Sequence, residues 1–150
     1  MKKILLLAPL ALASCGVFGT PTTYDVSGTI SGTAPGSPIK LALVGVSATG
    51  VVNADVNQVA VTVFDAKKFS VDYPDAPAAG IYQVIAYVDA NGDGKYNIGE
   101  ARTENNGKYL IYSANGGTLG SLVGLKAGWN LLQGTTVSQP GRITNYDLNW

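Results

Sequence analysis

Apolar and polar residues alternate along much of the chain with a period of two, the period of a strand that lays one face on a core. The strongest strand is Ile81 to Val88, apolar on both sides, with Tyr82, Val84, Ala86 and Val88 pointing one way and Ile81, Ile85 and Tyr87 the other. Gln58 to Phe64 aligns Val59, Val61 and Val63, and Lys67 to Tyr73 aligns Phe69, Val71 and Tyr73. Tyr24 to Ile30 alternates as well, and Ile39 to Val46 is a mostly apolar, β-rich run. Lys108 to Tyr112, Leu119 to Leu125, Asn130 to Thr136 and Arg142 to Leu148 are further candidate strands. Turn residues separate these segments: Pro35-Gly36-Ser37-Pro38, the Pro/Ala-rich stretch from Pro74 to Gly80, Asn105-Asn106-Gly107, Asn115-Gly116-Gly117 and Pro140-Gly141. The chain after residue 23 holds no long apolar period of 3.6 residues. Seven or more short strands with frequent turns predict an all-β antiparallel β-sandwich.

The first residues break this pattern. Lys2 and Lys3 precede an apolar run from Ile4 to Ala13, broken only by Pro9 and too short to span a bilayer, which takes about 20 residues. Small residues follow, in Leu12-Ala13-Ser14-Cys15-Gly16, where a signal peptidase admits no bulk. The stretch resembles the lipobox of bacterial lipoproteins. That resemblance implies cleavage before Cys15, diacylation of its thiol and anchorage in a membrane; the alternative is an ordinary secretory signal with an incidental thiol. Two or three acyl chains make a stable anchor where one is marginal. Gly16 stands where the lipoprotein pattern places Asp for inner-membrane retention, which implies the outer membrane. The expected organisation is a signal peptide at 1–14, a lipidated tether at 15–23 and one β-sandwich domain at 24–150.

Composition then removes function classes. With Lys2 and Lys3 cleaved, 8 basic side chains face 10 acidic ones, a net charge of −2 with no basic run, so nucleic-acid binding has no electrostatic support. Cys15 is the only cysteine and leaves no disulfide to the domain. Histidine is absent, which removes the commonest general base, the usual zinc ligand and every Ser-His or Cys-His pair. No nucleophile elbow or phosphate loop occurs either, so a non-enzymatic role is expected.

Val26-Ser27-Gly28-Thr29-Ile30, Lys68 to Pro74 and Gly80 to Asp89 together resemble carboxypeptidase-regulatory or transthyretin-like modules, an immunoglobulin-like class of sandwich. The resemblance covers about two-thirds of the mature chain and departs after Tyr112, where further strand candidates follow. It implies a binding or structural module rather than a catalyst.

One segment carries chemistry. Asp89-Ala90-Asn91-Gly92-Asp93-Gly94-Lys95-Tyr96-Asn97-Ile98-Gly99-Glu100 fits the twelve-residue calcium loop position by position. Asp89, Asn91 and Asp93 supply oxygens at positions 1, 3 and 5, and Gly94 takes the sharp turn at position 6. The Lys95 carbonyl serves position 7, Asn97 position 9, and Glu100 chelates at position 12. Calcium collects six to eight hard oxygens, and alternate residues of a tight loop deliver them to one centre. The loop resembles that of EF-hands while its flanks do not, since a strand leads in and no normal helix leads out. The resemblance therefore implies a structural metal site, with affinity on the order of 10⁻⁴ to 10⁻³ M as in extracellular modules. A bare hairpin is the alternative, as Asn-Gly and Asp-Gly favour turns by themselves; it accounts for the glycines but not for Asn97 and Glu100.

The sequence thus leads to a membrane-anchored envelope lipoprotein that binds another envelope or surface-layer protein. A carbohydrate- or small-ligand-binding module is the alternative, with Tyr82, Tyr87, Tyr109, Tyr112, Trp129 and Trp150 as a stacking platform or, more simply, as core.

Overall fold

A computed structural model describes residues 25–47, 49, 52–53, 59–60, 63–65, 67–74, 77–119 and 122–150. The expected signal peptide, Cys15 and the tether lie outside these residues. The described residues form thirteen strands: β1 (Val26–Ser31), β2 (Ile39–Val46), β3 (Val52–Asn53), β4 (Val59–Ala60), β5 (Val63–Asp65), β6 (Lys68–Val71), β7 (Gly80–Val88), β8 (Lys108–Ser113), β9 (Gly117–Leu119), β10 (Leu122–Leu125), β11 (Gly128–Gln133), β12 (Thr136–Ser138) and β13 (Leu148–Asn149). The larger sheet runs β12-β11-β8-β7-β2-β3, with β4 also on β2, and the smaller runs β13-β1-β6-β5. Strands β9 and β10 form a separate ribbon.

The main core joins the two sheets. Val26 and Ile30 of β1, Phe69 and Val71 of β6 and Leu148 of β13 pack with Leu41 and Leu43 of β2, Tyr82, Val84 and Ala86 of β7 and Leu110 of β8. The alternation read from the sequence places Val26, Ile30, Phe69, Val71, Tyr82, Val84 and Ala86 inward, and the all-β sandwich buries them between its sheets. Strands β2 and β7 are covered on both faces, which is why they read as nearly continuous apolar runs. On their outer face Ala42, Val44, Ile85 and Tyr87 build a second cluster with Val52 and Tyr96.

Four expected strands fold differently. Of the strand expected at 58–64, the described residues join different sheets: Val59 pairs with Leu43 in the larger sheet, whereas Val63 pairs with Ser70 in the smaller. A period of two cannot report such a division. The stretch from Leu119 to Leu125 doubles back as the β9–β10 ribbon, and the one from Asn130 to Thr136 ends β11, turns at 134–135 and enters β12.

The largest departure is Arg142 to Leu148. Only an isolated bridge from Ile143 to Val26 and the short β13 form, and both run parallel to β1, so the smaller sheet is not wholly antiparallel. The buried residues explain this, since Ile143, Tyr146 and Leu148 are spaced by three and then two. One extra residue lets Tyr146 turn into the core instead of out. Gly28 makes room for that turn, because a Cβ there would lie 2.3 Å from the Tyr146 carbonyl oxygen.

One edge of β7 shows how the sheet stays satisfied where β8 leaves it. The β7–β8 ladder pairs Gly80 with Tyr112 and Tyr82 with Leu110, and the next pair in that register would be Val84 with Lys108. The Tyr146 hydroxyl stands between them, accepting from the Val84 N–H at 3.4 Å and donating to the Lys108 carbonyl at 2.8 Å. Further along, the Ala86 N–H donates to Thr103 Oγ1 at 3.1 Å and the Val88 N–H to the Ala101 carbonyl at 2.8 Å. Every second β7 amide from Val84 onward is thus paired by a residue outside β8, as buried backbone requires.

Candidate metal centre

The loop 89–100 hangs from that edge of β7. Its two ends are held together by the Val88–Ala101 bond, by the Thr103 N–H donating to the Ala86 carbonyl at 2.8 Å, and by a bridge between Tyr87 and Arg102. The Asp89 N–H donates to the Pro38 carbonyl at 3.0 Å, so the first residue of the loop is fixed by the turn before β2. Tyr96 anchors the middle. It is 6 % exposed, and its ring meets the edge of Tyr87 at 5.7 Å and 75° within the outer cluster. Apolar burial of one ring therefore pins an otherwise polar loop to the sheet.

Within the loop, hydrogen bonds link Asn91, Asp93, Lys95, Asn97 and Glu100 and tie Asp89 to Gly94. Asp89 is buried, and its Oδ2 accepts the Gly94 N–H at 3.1 Å. Gly94 has φ of +77°, the left-handed conformation required for that amide to turn back. Asn91 Oδ1 accepts from the Asp93 N–H at 3.0 Å, and Asp93 Oδ1 from the Lys95 N–H at 2.8 Å. The side-chain amides of Asn91 and Asn97 both donate to Asp93 Oδ2, at 3.1 and 2.9 Å, and the Asn97 amide also reaches the Lys95 carbonyl at 3.3 Å. Glu100 closes the circuit, with Oε1 accepting the Ala90 N–H and Oε2 the Asn97 N–H, both at 2.9 Å.

The electrostatics follow from these contacts. The Asn97 side-chain amide, and after it the Lys95 N–H, hold the Asp93 carboxyl below the usual carboxylate range. Burial, and then the carboxylates of Asp89, Glu100 and Asp93, push the Tyr87 hydroxyl up to about 12. The ring beneath the loop is therefore neutral at physiological pH and feels the negative charge above it.

Two features of the site escaped the sequence. Lys40 of β2 places its Nζ 3.0 Å from Asp89 Oδ2, and no local spacing links residue 40 to residue 89. Asp89 Oδ1 is buried and has no hydrogen-bond partner. An unpaired buried carboxylate oxygen is costly, of order 1–3 kcal/mol or more for a charged group. It sits on the residue that opens the calcium pattern, in a loop whose remaining oxygens come from Asn91, Asp93, Lys95, Asn97 and Glu100. This oxygen-only donor set fits a hard divalent cation. Among the described residues no group of three His, Cys, Asp or Glu side chains stands ready to share an ion. The loop's carboxylates are tied instead to N–H donors and to Lys40.

The aromatic residues form no single platform. Trp129 stacks on Tyr73 at 4.3 Å and 15°, with Tyr82 and Tyr112 edge-on at 5.3 Å, all against the main core. Tyr87 packs on the opposite face of the same sheet, and Trp150 is half-buried against the main core. Trp129 Nε1 is buried without a hydrogen-bond partner. No family model, curated protein or solved structure matches this chain.

Proposed function

We propose that this chain is a non-catalytic, lipid-anchored lipoprotein of the cell envelope, an accessory subunit whose loop 89–100 holds a structural calcium ion and whose sandwich docks on another envelope or surface-layer protein. The sandwich belongs, on this reading, with the regulatory and transthyretin-like modules that its sequence pattern resembles. The anchor rests on Leu12-Ala13-Ser14-Cys15 after a basic and apolar start. The metal rests on one observation above the others: Asp89 Oδ1, buried and unpaired at position 1 of a loop that supplies oxygens at every other position. Ordering the loop also fixes Ile98, which is 77 % exposed beside Glu100 and offers an apolar contact to a partner.

Calcium at millimolar concentration raises the melting temperature of the mature chain above its value in EDTA, and Glu100→Gln removes most of that rise. Glutamine keeps a side-chain oxygen to accept an N–H while losing the bidentate carboxylate, so the calcium-dependent part of the shift is what changes. Identical melting of the wild type in EDTA and calcium retires the metal. For the anchor, mass spectrometry of the envelope-extracted protein finds an N-terminal Cys15 bearing acyl chains, and detergent pulldown recovers one larger envelope protein. A free thiol on Cys15, or an intact Met1, overturns the anchored reading.

A further inference from the structure

We propose that Lys40 is a tethered counter-ion of the calcium loop, which holds Asp89 when no metal is bound and lowers the affinity of the site for calcium. The inference rests on the calcium reading and adds to it the residue that sets the affinity. Lys40 lies in β2 directly opposite Tyr87 in register, and is the charged residue in the run Ile39-Lys40-Leu41-Ala42-Leu43-Val44. Its Nζ sits 3.0 Å from Asp89 Oδ2, and a Cβ built on Gly94 would touch it at 3.6 Å. The ammonium therefore stands at the turn of the loop, against the ligand at position 1 and beside the glycine at position 6. Asp89 has a fully buried side chain, whereas that of Lys40 is 45 % exposed, so the acid is fixed and the base is the movable partner.

Charge decides the sign. Asp89, Asp93 and Glu100 bring three negative charges to the loop, and Lys40 and Lys95 return two positive ones. A divalent cation entering beside Asp89 Oδ1 meets an ammonium already bound to the other oxygen of the same carboxylate. Repulsion between like charges at such separations is strong in a partly buried site. Either calcium binds against that repulsion or Lys40 swings into solvent, and both weaken binding. Without metal the same ammonium neutralises a buried carboxylate that would otherwise stand uncompensated. Lys40 thus keeps the loop folded at low calcium and confines metal binding to calcium-rich surroundings.

The test compares the full mature chain in detergent, as wild type, Lys40→Gln and Lys40→Arg, by calorimetric titration with calcium chloride at fixed ionic strength and by melting in EDTA. Lys40→Gln binds calcium on the order of tenfold more tightly than wild type and melts lower in EDTA, while Lys40→Arg, which keeps the charge, restores wild-type behaviour in both. Equal or weaker calcium binding by Lys40→Gln overturns the counter-ion role and leaves the metal site standing. Binding by Lys40→Gln with none by wild type supports the role and removes calcium from the wild-type loop. Binding by neither overturns both.

Discussion

Replacing Tyr146 by alanine lowers the unfolding free energy by about 3–5 kcal/mol, the range for removing a large aromatic side chain from a core. Tyr146 is fully buried in the main core, so its loss opens a cavity that touches both sheets. The hydroxyl adds a second cost. It carries the connection between Val84 and Lys108 at the place where the β7–β8 ladder stops. Tyr146→Phe keeps the ring and removes that bridge, and costs about 1–3 kcal/mol because a buried N–H and a part-buried carbonyl lose their partner. Urea unfolding with linear extrapolation separates the two variants. A Phe variant as stable as wild type means that the strand edges close without the hydroxyl. Against a total stability of about 5–15 kcal/mol, the alanine variant loses a large share of its margin.

Tyr96→Ala lowers stability by about 2–4 kcal/mol and loosens the loop above it. Its ring is the loop's contribution to the outer cluster, packed edge-on against Tyr87 beside Ala42, Val44, Val52 and Ile85. Without that anchor the loop keeps its hydrogen bonds at 91, 93, 97 and 100 but loses its hold on the sheet. Amide exchange of Gly94 and Lys95 then rises, and binding of the proposed calcium ion weakens because the ordering cost falls on the metal. Tyr96→Phe retains the ring contact and most of the stability. Unchanged exchange in the alanine variant means that the closure at Val88–Ala101 and Ala86–Thr103 holds the loop unaided.

The two sites differ in how far the sequence reveals them. The pattern read as a calcium loop is local, because twelve consecutive residues carry both the oxygens and the glycine at 94, and in the structure hydrogen bonds tie Asn91 and Asn97 to Asp93 and the Gly94 N–H to Asp89. The alternation of β7 is equally local and sorts Tyr82, Val84 and Ala86 from Ile85 and Tyr87 onto opposite faces. Lys40 was invisible as a site residue, because its role arises only when β2 pairs with β7 and brings it beside Asp89. Tyr146 falls within the strand that the sequence predicts from Arg142 to Leu148. The irregular spacing of Ile143, Tyr146 and Leu148 was the available signal, and it became meaningful once β1 lay alongside.

By itself the sequence determined the all-β class, the inward faces of β1, β6 and β7 and the make-up of the loop 89–100, because periodicity, turn residues and residue spacing act over a few neighbouring residues. The tertiary structure alone decided that β4 and β5 join different sheets, that the C-terminal segment runs parallel to β1, and that Lys40 meets Asp89. Those outcomes depend on contacts between residues far apart in the chain, chosen by which packing buries the apolar faces and pairs the backbone at once.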